Sequence, residues 1–171
     1  MLTETMQQAL NEQVNKELYS SYLYLSMSAC AASAGLPGAA HWFMMQVQEE
    51  NLHAMKLYHY ILQKGGQVEL AAIEQPPGAF DIPRGIFEET LRHEQKVTAS
   101  LNALMDTAMA EHDHATQIFL QWFITEQVEE EASVQEIIDQ CRLAGEHQGN
   151  LMMIDQKLAQ RPAPAALNAV E

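Results

Sequence analysis

Residues from about 4 to 33 contain neither glycine nor proline, and Leu10, Val14, Leu18, Tyr22 and Leu25 recur along them at helical spacing. A run this long with that period predicts one continuous helix and leaves little room for a sheet. Gly35-Leu36-Pro37-Gly38 breaks the pattern. A second helix is predicted from about 38 to 64, with Phe43, Val47, Ala54, Leu57 and Ile61 on one side, stopped by Gly65-Gly66. Residues 65–82 keep no helical face and contain Gln75-Pro76-Pro77-Gly78. That is too long for a tight turn and fits a crossover running the length of a bundle. Asp81 is expected to cap a third helix with Pro83 in its first turn, continuing through Phe87, Leu91, Val97, Leu101 and Leu104 to about 111. Asp113 is expected to cap a fourth, reaching about 143. After Gly145, a short fifth helix spans roughly 146–159. The reading is all-α: four long helices, paired as two hairpins by a long crossover, about 40 Å in length. Residues 1–160 form one domain, and 161–171, beginning Arg161-Pro162-Ala163-Pro164, form a flexible tail.

The chain has 171 residues and a formal net charge of -14. Such acidity disfavours a nucleic-acid partner, which needs lysine and arginine to neutralise phosphates. It suits cations as clients, and it equally suits a merely well-solvated surface. The amino terminus has no basic or apolar leader, and no apolar run is long enough to span a membrane. The expectation is a cytoplasmic protein. Cys30 and Cys141 have no metal-ligand spacing, and the chain lacks secretory signs that would favour a disulfide.

Each long helix also carries an acid where the core should be. The inward faces read Leu10, Val14, Glu17, Ser21, Tyr24, Ser28; then Phe43, Val47, Glu50, Ala54, Leu57 with His53 beside them; then Phe87, Leu91, Glu94, Val97, Leu101; then Phe119, Phe123, Gln127, Glu130, Val134, Ile137. Several buried carboxylates repel one another in a low dielectric, and metal ions or protons resolve the conflict. Glu50 and His53 are three apart, as are Gln127 and Glu130, so each pair shares a helical face. Glu-x-x-His facing inward is the local unit of di-iron bundles. Each piece alone is weak, since isolated glutamates and histidines are commonly solvated. The combination across four helices outweighs that bland reading.

Other residues keep two readings. Glu49, Glu126 and Glu129 form either a more exposed third iron site or an ordinary wetted acidic face. Tyr24, two turns beyond Glu17, either serves the site as a hydrogen-bond donor or electron donor, or simply packs. Trp122, one turn before Glu126, either relays charge or packs. Met44, Met45, Met105 and Met109 read as core or interface filler, and His112 and His114 as surface residues.

With these residues in place the sequence resembles the ferritins, specifically the non-haem bacterial ferritins, over about 1–160. The resemblance is carried by Asn15-Lys16-Glu17-Leu18, Glu49-Glu50-Asn51-Leu52-His53-Ala54, His93-Glu94, and Phe119-Leu120-Gln121-Trp122-Phe123 leading to Glu126-Gln127-Val128-Glu129-Glu130-Glu131. It implies a ferritin-like four-helix bundle with a short fifth helix. It implies a ferroxidase centre for two irons per subunit, with Glu17, Glu50 and His53 holding one, Glu94 and Glu130 the other, Glu50 bridging and Gln127 nearby. It further implies a third site at Glu49, Glu126 and Glu129, and Tyr24 next to the centre. The family assembles a hollow cage of 24 subunits that stores ferric oxide. Leu52 stands where haem-binding relatives have a ligating methionine, and Ser133 where their second Glu-x-x-His has its histidine, so no haem is expected. Animal ferritins line their three-fold channel with acids where this chain has Gln117, Leu120 and Gln121, so no entry channel is assigned.

The resulting expectation is iron storage with ferroxidase activity, oxidising Fe(II) with O2 or H2O2. A different di-iron oxidase or peroxidase on the same bundle, and a structural cage subunit without oxidation, are the alternatives. The first needs a substrate pocket and often an electron-transfer domain. The second needs a depleted ligand set.

Overall fold

The structure is a computed structural model, and it describes residues 1–145 and 147–165. In the described residues five helices follow one another: α1 (Glu4–Ser33), α2 (Pro37–Gln63), α3 (Arg84–Ala110), α4 (His114–Ala144) and α5 (Gln148–Leu158). The described residues contain no strand. The main pairings are α1 with α2 and α3 with α4, which makes two hairpins. None of the helices is long and apolar enough to cross a membrane.

The helix ends follow from local chemistry. Thr3 caps α1 by accepting from the Met6 N–H at 3.1 Å, and Asp113 caps α4 by accepting from the Thr116 N–H at 3.1 Å, as expected. Asp81 does not cap α3. Pro83 occupies the cap position without a side-chain bond, and Asp81 instead lies against Gly85, where an added Cβ would sit 2.6 Å from the Asp81 side chain. The chain therefore enters α3 through a glycine that lets an upstream acid approach the backbone.

The crossover between α2 and α3 runs along α1. Asn11 donates to the Gln67 carbonyl at 3.0 Å and accepts from the Glu69 N–H at 2.9 Å, while Ser26 donates to the Pro77 carbonyl at 2.6 Å. From Asn11 to Ser26 is about 22 Å of helix, so the segment traverses much of the bundle.

The helix α5 closes one end. Its Asp155 accepts from the Gly38 N–H at 3.0 Å and the Ala39 N–H at 2.8 Å, satisfying donors that the first turn of α2 leaves open. A Cβ at Gly38 would lie 1.7 Å from the Asp155 carbonyl oxygen, so only glycine permits this contact.

Two apolar clusters fill the bundle. One gathers Tyr24, Met27, Phe43, Phe87, Ile138 and Leu158 towards the α5 end. The other gathers Met6, Leu10, Leu57, Leu101, Leu120 and Phe123 towards the opposite end. Tyr22 and Leu25, read from the sequence as part of an apolar stripe on α1, are instead exposed at 47% and 43%. Among the four methionines read as filler, Met45 is buried, whereas Met44 and Met109 are exposed. His112 and His114 are on the surface, and Cys30 and Cys141 are both free thiols.

Candidate metal centre

Between the two apolar clusters the inward faces become polar. Glu94, Glu17, Glu50 and Glu130 are 0%, 1%, 2% and 5% exposed, one from each long helix, and His53 and Gln127 are buried with them. No lysine or arginine forms a salt bridge with any of the four carboxylates among the described residues. Buried, mutually repelling acids without a cation destabilise a fold unless protons or metals neutralise them.

Glu17, Glu50 and His53 offer ligand atoms that all lie within 4.8 Å of one another. His53 Nδ1 is 3.7 Å from Glu50 Oε2. Glu17 Oε2 and Glu50 Oε2 are buried without a hydrogen-bond partner. Buried oxygens are rarely left unpaired, and here two of them point to an electropositive occupant. Hard carboxylate oxygens with one imidazole suit iron.

The acids of α3 and α4 sit beside this group. Glu94 accepts from the Tyr24 hydroxyl and from Gln127 Nε2 at 3.2 Å. Gln127 also donates to the Glu94 carbonyl and to Thr98, each at 3.2 Å, so its amide orients Glu94. Glu130 accepts from Gln46 Nε2 at 2.9 Å.

Electrostatics mark the centre as one system. Burial, followed by the charges of Glu17 and Glu94, pushes Glu50 well above the usual carboxylate range. Burial likewise raises Glu94 to about 7 against the lowering pull of Tyr24 and Gln127, and raises Glu130 to about 8 with help from Glu49 and Glu94. Without a metal, these carboxyls therefore hold protons near neutral pH, and a cation must displace them. Burial lowers His53, which keeps its imidazole neutral and able to donate a lone pair to a metal. The Tyr24 hydroxyl is pushed well up by burial and then by Glu94 and Glu50, so it stays a protonated donor.

Two glutamines complete the centre that the sequence reading did not single out. Gln13 donates from Nε2 to Glu17 Oε1 at 2.8 Å, and Gln46 supports Glu130 across the bundle. Both are buried. Each precedes an inward glutamate by four residues, Gln13 before Glu17 and Gln46 before Glu50, which is the same-face spacing that could have flagged them.

The outer acids are arranged differently from their sequence grouping. Glu49, His53 and Glu126 form the second cluster of ligand atoms within 4.8 Å. Glu129 is exposed and outside that cluster, although its charge, after burial, helps raise Glu126. Glu49 and Glu126 are half-buried. His53 thus borders both groups. Trp122 packs edge-on to the His53 ring, with centroids 5.3 Å apart, and Lys56 lies 4.4 Å over the Trp122 ring.

The chain is similar to known proteins over most of its length. The sequence pattern of the Ferritin-like domain matches residues 7–144. A bacterial non-heme ferritin from Bacteroides fragilis (strain 638R) is 43% identical over 161 residues, covering 94% of this chain and 100% of the relative. A bacterial non-heme ferritin from Escherichia coli O157:H7 is 39% identical over 93% of this chain and 96% of its own length. Among solved structures, an open pore ferritin from the hyperthermophilic archaeon Archaeoglobus fulgidus superposes with a TM-score of 0.94 at 45% identity, covering 95% of this chain and 100% of that one.

Proposed function

Since the chain belongs to the ferritin family, we propose that it stores iron and oxidises Fe(II) to Fe(III) at the buried centre between its four long helices. The observation that carries this reading is the pair of orphaned carboxylate oxygens, Glu17 Oε2 and Glu50 Oε2, beside a neutral His53. Residues 1–160 act as the di-iron domain. Two ferrous ions per chain are the substrate. Glu17 and His53 hold one, Glu94 and Glu130 the other, and Glu50 reaches both.

The protein's own groups do the following. Glu94 and Glu130 release protons as Fe(II) enters, because cation charge replaces proton charge. Carboxylate ligands then favour Fe(III) over Fe(II), which lowers the barrier to electron loss. Two Fe(II) give two electrons, which with two protons reduce one O2 to H2O2, or one H2O2 to two waters. Tyr24 and Gln127 hold Glu94 in place, and Gln46 holds Glu130. Ser133 stands where a symmetric site would repeat His53, so the second iron has the thinner ligand set and leaves more readily as product.

Glu49, His53 and Glu126, with Glu129 beyond them, form an outer iron site. Leu52, at the position where haem-binding relatives carry a ligating methionine, fits a centre of iron without haem. The subunits close into a cage of 24 that holds the mineral. Exposed apolar residues such as Tyr22, Leu25, Ile118 and Val128 support this, since contiguous copies would cover them. The site of action is the cytoplasm.

The test is anaerobic Fe(II) titration of the metal-free assembly followed by O2, with absorbance and particle mass recorded. About two irons oxidised rapidly per chain, by a large particle, is the expected result. Oxidation no faster than iron in buffer sinks the reading. Glu50→Ala is expected to assemble but to lose the fast phase by about a hundredfold, and an unchanged fast phase removes Glu50 from the bridging role.

A further inference from the structure

Arg161, three residues beyond α5, reaches back to the outer acids. Arg161 Nη2 donates to Glu49 Oε2 at 2.6 Å. Its guanidinium carbon stands 4.5 Å from the centroid of the Trp42 ring, and its carbonyl oxygen is 2.9 Å from His41 Nε2. His41, Trp42 and Glu49 all belong to α2, so one helix grips this residue at three points. The two charged side chains are only 21% and 20% exposed, and Arg161 Nη1 is buried with no hydrogen-bond partner among the described residues. An ion pair this shielded is screened less than an exposed one.

Glu49 belongs at the same time to the ligand cluster with His53 and Glu126. A guanidinium on Glu49 and a metal ion among these ligands repel each other and draw on the same carboxylate. Arginine stays charged across the physiological range, so a change of pH does not relieve the competition.

We propose that Arg161 is a tethered cation that competes with divalent metal for Glu49 and holds the affinity of the outer site down. The proposal rests on the reading of Glu49, His53 and Glu126 as an outer iron site. Arg161 is a positioning residue: it sets how long an ion stays at the outer site, and it touches neither iron of the inner pair. The consequence is traffic. An ion at the outer site passes onward instead of remaining, and α5 with the turn after it becomes a part of the iron path.

The experiment is calorimetric titration of Zn(II), which has no redox chemistry, into the assembled metal-free protein. Glu126→Ala identifies the outer-site event as the one it abolishes. Arg161→Gln is expected to tighten that event by about fivefold. Arg161→Lys, which keeps the charge but loses the planar fork, is expected to tighten it less. An outer-site event that is unmoved or weakened in Arg161→Gln overturns the proposal while leaving the outer site standing. If no event in any chain depends on Glu126, the outer-site reading itself falls and this proposal falls with it. Should Arg161→Gln fail to assemble, the decision passes to Arg161→Lys, where an affinity no tighter than the parent's overturns the proposal.

Discussion

At the α5 end of the bundle, Phe43 and Phe87 stack with centroids 5.3 Å apart, and Trp42 meets both edge-on at 5.1 and 5.5 Å. About two turns away the same faces carry Glu17, Glu50, Glu94 and Glu130, equally shut off from water. The ends are filled by groups that gain from burial. The middle is filled by groups that lose from it. Identical backbone architecture therefore does two jobs: the ends hold the helices in register, and that rigidity keeps the acids together against their repulsion. The difference teaches that the middle was not selected for the stability of the metal-free chain.

Three substitutions sharpen or break this contrast. Phe87→Ala, at the apolar end, is expected to destabilise the protein by about 3–5 kcal/mol, read from denaturant unfolding of the metal-free form. A cost below about 1 kcal/mol would mean the end cluster is not what holds the bundle. Glu130→Gln, in the middle, should act in the opposite direction. The folded protein raises Glu130 to about 8, so folding takes up a proton that the unfolded chain releases at ordinary carboxylate pKa. Between about pH 4.5 and 8 the stability of the metal-free protein therefore falls as pH rises. Glu130→Gln removes the Glu130 share of that dependence and leaves that of Glu50 and Glu94, and at pH 9 it is expected to be more stable by at least about 1 kcal/mol, with no gain at pH 4. A variant equally unstable at pH 9 would show that Glu130 is not held against its charge. Glu129→Ala, on the exposed outer face, is expected to change stability by no more than about 0.5 kcal/mol at any pH. A larger shift in thermal melts would place Glu129 inside the coupled system.

The sequence was informative where a single helix carried the signal. Glu17, Glu50, His53, Glu94, Gln127 and Glu130 each sit on a face defined by their own helix's period, and the structure buries all six. Hydrophobicity alone misled on α1. The stripe through Leu18, Tyr22 and Leu25 drifts off the buried face, because that face is occupied by Glu17, Ser21, Tyr24 and Ser28. A metal centre makes the interior polar, so the apolar residues beside it mark the wrong side. Contacts between distant segments outside the inward acids of the four helices were not legible. Gln46 reaches Glu130 across 84 residues and Arg161 reaches Glu49 across 112. Periodicity is a local property and has no term for such pairings. Asp81 failed as a cap for a related reason: its place was decided by the glycine it meets, four residues on, and not by its own preference for a helix start.

The bond from Asp155 to the first turn of α2 joins the beginning of the second helix to the last one. On a chain emerging from synthesis, α1 and α2 are available to pair long before residue 155 exists. The N–H groups of Gly38 and Ala39 must then be left to water until the final helix arrives. The finished subunit is thus sealed by its own last segment, as a drawstring closes a bag. A chain that stops short of Asp155 retains every inner ligand named above and still lacks the closure that secures the end of the bundle, and with it the arm that brings Arg161 to Glu49.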